Sequence, residues 1–184
     1  MRRYIAFLRA INVGGHTVKM EELRALFESL GFSGVETFIA SGNVKFESGS
    51  GSARALQNRI EALLRKSLGY EVATFIRTDA EIAAVARYRP FADSAMRSAG
   101  ALNVAFLADP LSDEAVKSLM RLKTDIDDFH VHGREVYWLC RKKQSESSFS
   151  NAVFERTLKI QSTFRGFNTV LRLAARYPPA RKAA

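Results

Sequence analysis

The feature that most constrains this chain is a pattern of apolar spacing that runs through once and then starts again. Residues 3–9 form a short apolar stretch between arginines, which reads as a buried strand. Met20, Leu23, Leu26, Phe27 and Leu30 then recur at the spacing of one helix face. "VETFIASGNVKFES" (residues 35–48) holds two β-rich runs about Ser41 and Gly42, a hairpin signal. Leu56, Ile60, Leu63, Leu64 and Leu68 mark a second helix, and "VATFIRT" (72–78) a further strand. The order is β-α-β-β-α-β, the ferredoxin-like unit. A helix follows from Thr78, where Thr78 and Glu81 have the spacing of a capping box.

"RYRPFADSAMRSAG" (87–100) breaks the pattern with a proline, a glycine and small polar residues. The plan then restarts. "ALNVAFLA" (101–108) repeats at residues 105–107 the Ala-Phe-Leu of residues 6–8, and Ser112 is placed to cap the next helix. "DDFHVHGREVYWLC" (127–140) reads as a hairpin turning at Gly133 and Arg134, with His132 opposite Glu135 and His130 opposite Tyr137. Residues 149–158 read as a helix, "QSTF" (161–164) as a short strand, and Phe167, Val170, Leu171 and Ala174 as a last helical face. The expected fold class is α+β: two ferredoxin-like halves made by internal duplication, 1–99 and 100–184, the second carrying a terminal helix and a basic tail.

With 47% hydrophobic and 26% charged residues in 184, the chain can bury a substantial core. Arg9 interrupts the first apolar run and no small-residue cleavage site follows, so a signal peptide is not expected. No stretch approaches the roughly 20 apolar residues of a membrane helix. Cys140 is the only cysteine and has no internal disulfide partner, which fits a reducing, cytoplasmic setting. The net charge of +9 favours phosphate-bearing partners. After Glu155 every charge is basic: Arg156, Lys159, Arg165, Arg172, Arg176, Arg181 and Lys182. That run is either a solvated face or a surface for nucleic acid.

No serine nucleophile elbow, HExxH motif or carboxylate pair is visible, and no cofactor is implied. Three constellations carry polar chemistry. In "NVGGHTVKM" (12–20), Gly14 and Gly15 stand between a strand and a helix, with Arg9, Asn12, His16 and Lys19 around them. The glycine spacing fits neither a dinucleotide fingerprint nor a triphosphate loop, which leaves a tight turn or a site for a small anion. His130, His132 and Glu135 share a strand face and could ligate a metal, but no fourth ligand is visible and a half-exposed polar face accounts for them. Cys140 falls on the opposite, apolar face as a core residue. The third constellation packs Ser147, Ser150, Asn151, Thr163, Arg165, Asn168 and Thr169 around two helix starts, with Arg165 expected where the last helix begins. An RNA-recognition reading of the same β-α-β-β-α-β order fails, because Phe46 shares a face with Val44 and belongs to the core.

"LRAINVGG", "ASGNVKF", "SSFSN" and "TFRGFNTVLRL" together resemble the bacterial domain-of-unknown-function family numbered 1697, over nearly the whole chain. The resemblance implies a duplicated α+β fold and no established activity. It places Asn12, Gly14 and Gly15 on the family's first motif, Ser41, Gly42 and Asn43 on its second, Ser147, Ser150 and Asn151 on its third, and Arg165, Asn168 and Thr169 on its last. Ser148 stands where that motif usually has lysine, and Gly166-Phe167 where it has Asn-Trp. The expectation is a cleft between the halves for a phosphate-bearing small ligand. Arg165 would pair with the anion, Asn12, Asn43, Asn151 and Asn168 would orient it, the Gly14-Gly15 backbone would approach it closely, and Arg9, Lys19, Ser41 and Ser150 would surround it. The alternatives are a transferase or hydrolase with His16 as general base, and a nucleic-acid module using the basic C-terminal face.

Overall fold

The computed structural model describes residues 1–12, 15–49 and 51–179, and the side chains of these except Ala40 and Ser41. Gly14, Arg181 and Lys182 lie outside the described residues. The elements are β1 (Arg2–Leu8), α1 (Met20–Ser29), β2 (Ser33–Phe38), β3 (Ala40–Ser48), α2 (Ala53–Leu68), β4 (Thr74–Thr78) and α3 (Asp79–Arg87). A short helix, α4 (Asp93–Ser98), precedes β5 (Ala101–Phe106), α5 (Asp113–Met120), β6 (Asp127–His132), β7 (Glu135–Cys140), α6 (Asn151–Leu158), β8 (Thr163–Gly166) and α7 (Phe167–Arg176).

Two antiparallel sheets result, ordered β2-β3-β1-β4 and β6-β7-β5-β8. Both have the ferredoxin-like order, so the duplicated α+β fold read from the sequence is the one observed. Register makes the duplication quantitative. Ile5 pairs with Lys45 and Arg77, and Val104 pairs with Tyr137 and Arg165. Superposing the two Ala-Phe-Leu runs makes Ile5 the counterpart of Val104, and hence Arg77 the counterpart of Arg165.

Alternation along each strand puts one set of side chains under the helices. In the first copy, Tyr4, Ala6 and Leu8 of β1 join Val44 and Phe46 of β3, Leu23 and Phe27 of α1, and Leu56, Ile60 and Leu64 of α2. In the second, Ala105 and Leu107 join Val136, Trp138 and Cys140 of β7, Leu119 of α5, and Phe154 and Leu158 of α6. Each valine, leucine, isoleucine or phenylalanine among them contributes about 1.5–3 kcal/mol by leaving water. Burial also pushes the Cys140 thiol up, consistent with a core residue.

The chain divides into two compact units, one of Met1–Ala83 with the chain from Leu173 on, the other of Ala84–Arg172. The division falls inside α3 and α7, the helices that follow the last strand of each copy. In the first unit, the hydroxyl of Tyr177, just past α7, donates to Glu36 Oε2 at 3.0 Å, and its ring packs edge-on against Phe38. In the second unit, Tyr88, just past α3, has its hydroxyl 2.7 Å from His130 Nε2. Glu36 pairs with Lys45 as His130 pairs with Tyr137, so the two tyrosines meet counterpart positions. Both close an Ala-Arg-Tyr run, 86–88 and 175–177, a second internal repeat that the sequence carries in plain view.

Local signals held in several places. Glu81 Oε2 accepts from the Thr78 amide at 2.8 Å while Thr78 Oγ1 accepts from the Glu81 amide at 3.2 Å, a complete capping box. Ser112 Oγ accepts from the Ala115 amide, capping α5. Three expectations are corrected. The first hairpin turns at Ile39, not at Ser41-Gly42, which belong to β3; Phe38 pairs with Ala40, and Ile39 takes φ 64°. Residues 87–100 include a helix. Arg165 lies within β8, and α7 begins at Phe167.

Candidate functional site

At the end of β1 the chain enters the loop carrying the first motif. The Arg9 amide donates to the Ala73 carbonyl at 2.9 Å, and Ala10 adopts φ 54°. Asn12 Oδ1 accepts from the Val18 amide at 2.9 Å, which closes the loop on itself. Tyr70 donates its hydroxyl to the Ile11 carbonyl at 2.8 Å, and His16 stacks on the Tyr70 ring at 4.0 Å. Gly15 is at φ 85°, a left-handed conformation that glycine takes without strain, with open space where a Cβ would be. Lys19 is exposed at the start of α1.

Phe7 pairs with Asn43, so the start of β3 lies at the same end of the sheet as this loop. Ser41 is in β3 there, its side chain outside the described set. Asn43 is buried, and its Nδ2 donates to the Phe38 carbonyl at 3.1 Å, bracing the turn at Ile39. Arg9, Asn12, Gly15, Lys19 and Asn43 are thus gathered at one sheet end. Within that group, both asparagine side chains hold the loops in shape.

In the second unit the third motif is likewise a set of internal bonds. Ser147 Oγ lies 2.9 Å from both oxygens of Asp127, a carboxylate 1% exposed. Asp127 also accepts from Trp138 Nε1 at 2.8 Å and from Thr124 Oγ1 at 2.9 Å. Ser150 Oγ accepts from the Val153 amide and caps α6. Asn151 Oδ1 accepts from Ser162 Oγ at 2.6 Å, while Glu155 Oε1 accepts from the Ser162 amide at 2.8 Å, so buried Ser162 has both groups paired. Arg165 Nη1 donates to Thr163 Oγ1 at 2.7 Å and to the Phe164 carbonyl at 2.8 Å. Burial lowers its pKa to about 10, which leaves it cationic at neutral pH.

Asn168 differs from all of these. It is exposed on the first turn of α7 and lines a groove of about 580 Å³ with α4 and the start of β5. Apolar side chains of Met96, Leu102, Phe167 and Leu171 line it, together with Arg89, Asp93 and Arg97. Arg89 Nη1 is 3.2–3.3 Å from the carbonyls of Ala86, Arg87 and Tyr88, and its Nε is 3.9 Å from Asp93. Those carbonyls end α3, so the guanidinium complements the helix terminus. Among the described residues, Arg97 makes no hydrogen bond and no ion pair. Gly100 also lines the groove, and a Cβ built there would collide with the Lys142 carbonyl, so only glycine lets these two backbone segments meet.

Of the polar residues that line this groove, the sequence singles out Asn168 but not Arg89 or Arg97. Both stand in the stretch read as a boundary, where cations flanking a proline and a glycine were the available signal. His130 and His132 pair with Tyr137 and Glu135 as expected. His130 engages Tyr88 and His132 stacks on the same ring at 4.0 Å; among the described residues no group of three His, Cys, Asp or Glu could hold a metal ion. No described helix is long and apolar enough to cross a membrane.

Fold and groove define a class, a tandem ferredoxin-like α+β protein whose second unit carries a cationic, apolar-walled groove. The chain belongs to the family described as "Protein of unknown function (DUF1697)", which matches residues 1–137. That span takes in the motifs at Asn12 and Asn43, while those at Ser147 and Arg165 lie beyond it. A solved structure, that of the conserved bacterial protein SP0830 from Streptococcus pneumoniae, is similar over 97% of this chain and 99% of that one, with a TM-score of 0.74 and 22% identity. What the two share is the fold. No curated protein matches.

Proposed function

We propose that this protein binds a small phosphate-bearing ligand, and that the groove of the Ala84–Arg172 unit takes it. The observation that carries the proposal is Arg97, a guanidinium with no partner among the described residues, lining a cavity beside Arg89 and Asn168. A guanidinium presents paired N–H donors that match phosphate oxygens, and an amide side chain adds a neutral donor. The sequence alone points to Arg165 as that anion partner. Its Nη1 bonds to Thr163 and Phe164 favour Arg97 in the role instead.

Calorimetric titration at low salt with nucleotides, sugar phosphates and short oligonucleotides tests the proposal. At least one phosphate ester is expected to bind saturably, and Arg97→Ala to weaken it about tenfold or more, since a hydrogen bond to a charged group is worth about 1.5–3 kcal/mol. No binding by any member of the panel would end the proposal. Oligonucleotide binding that falls steeply with salt, unaltered by Arg97→Ala, would favour the basic C-terminal face as a nucleic-acid surface.

A further inference from the structure

We infer that the groove selects monophosphate esters of a flat, apolar-faced group, of nucleoside monophosphate size, over sugar phosphates and polyphosphates. This rests on the phosphate-binding reading above and adds the identity of the rest of the ligand. At about 580 Å³ the groove has the volume of a site for a whole small molecule, far more than a phosphate group fills. The remainder of the lining decides what else enters. Met96, Leu102, Phe167 and Leu171 offer an apolar wall, with a thioether that accommodates an aromatic ring.

Leu171 is the telling residue. On α7, Phe167, Val170 and Leu173 are buried, while Leu171 is 39% exposed and among the few large apolar side chains left to water. A flat ring laid on the wall would cover it. A sugar phosphate carries no such ring and would leave the wall in water. Charge sets the other limit. The groove holds Arg89, Arg97 and Asp93, two cations against one anion, which leaves one positive charge in excess for the ligand. One phosphate is enough to meet that excess. Each added phosphate of a polyphosphate brings further negative charge, and the lining holds no further cation to offset it.

Calorimetry on the full chain with adenosine 5′-monophosphate, ribose 5-phosphate, adenosine and adenosine 5′-triphosphate separates the cases. The monophosphate is expected to bind at least tenfold more tightly than ribose 5-phosphate and more tightly than the triphosphate. Leu171→Asn, a surface change checked by thermal unfolding, is expected to weaken the monophosphate severalfold and leave ribose 5-phosphate unchanged. Equal affinity for adenosine monophosphate and ribose phosphate, or indifference to Leu171→Asn, overturns this inference and leaves the phosphate site standing. Adenosine binding as tightly as its monophosphate overturns the phosphate reading, and failure of all four to bind overturns both.

Discussion

The two copies of the repeat hold an arginine at one register position and put it in different surroundings. Arg77 is 1% exposed on β4 and Arg165 is half-buried on β8, yet each donates Nη1 to the carbonyl of the preceding residue at 2.8 Å. Away from that shared position the copies part. In the first, the polar motif side chains Asn12 and Asn43 bond to the backbone of their own loops. In the second, Ser150 bonds to the backbone of its own helix and Ser147 and Asn151 to the side chains of Asp127 and Ser162, but Asn168 and Arg97 line open space. The lesson is that residue type alone does not mark a site. What distinguishes the groove is a donor in a concave, partly apolar setting with no internal partner.

The sharpest way to break this comparison is to remove the internal bonds on each side. Asp127→Ala strips the shared acceptor from Trp138, Ser147 and Thr124 and leaves these donors unsatisfied in a buried setting, which at about 1–3 kcal/mol for each such group is expected to cost about 3 kcal/mol or more. Asn43→Ala removes a bond to one carbonyl and should cost about 1–3 kcal/mol. Urea denaturation measures both, and equal costs would mean that the second unit's polar centre is not the stronger brace. The glycines sharpen the contrast next. Gly100→Ala forces a backbone shift against Lys142, about 1–3 kcal/mol, and should also weaken groove binding; Gly15→Ala meets open space and costs only the left-handed backbone, about 1–2 kcal/mol, with binding unchanged.

Acid should separate the units by a smaller effect. Burial, helped by the neighbouring His132 and opposed by Asp128, holds the His130 imidazole below 6.5. The unfolded chain therefore takes up this proton before the folded one does, and the second unit loses stability as pH falls below 6.5. In the first unit, a hydrogen bond from Lys45 at 3.1 Å holds Glu47 below 4.5, so its contribution is full above 4.5 and is lost as pH falls through the lower folded value. Trp138, the only tryptophan, reports on the second unit by fluorescence. Its unfolding midpoint should drop between pH 6.5 and 4.5, and His130→Asn should flatten the drop. The smallest expected effect is the stability change of Arg97→Ala, within about 0.5 kcal/mol by thermal unfolding, since the side chain is exposed with no partner among the described residues. A larger loss would show that Arg97 has a structural role.

Element order was legible because apolar periodicity is set by which face meets the core, and both copies follow it. The caps at Thr78 and Ser112 were legible because they are local. Ile39 was not, since a β-branched residue at positive φ is disfavoured on its own and is held by Asn43 and the β2-β3 pairing. Arg165 looked like a helix start because Gly166 ends the strand at once, and only pairing with Val104 draws it into β8. The groove was hidden for a different reason. Its cations come from the stretch between the repeats and its amide from α7, and proximity of that kind is a property of the folded second unit.

Backbone chemical-shift mapping by heteronuclear NMR during titration with adenosine 5′-monophosphate tests the central claim most directly, because it reads both regions at once. The account predicts perturbations concentrated at Asp93–Leu102 and Phe167–Leu171. Perturbations concentrated instead in the loop from Arg9 to Lys19, with the groove silent, would contradict it.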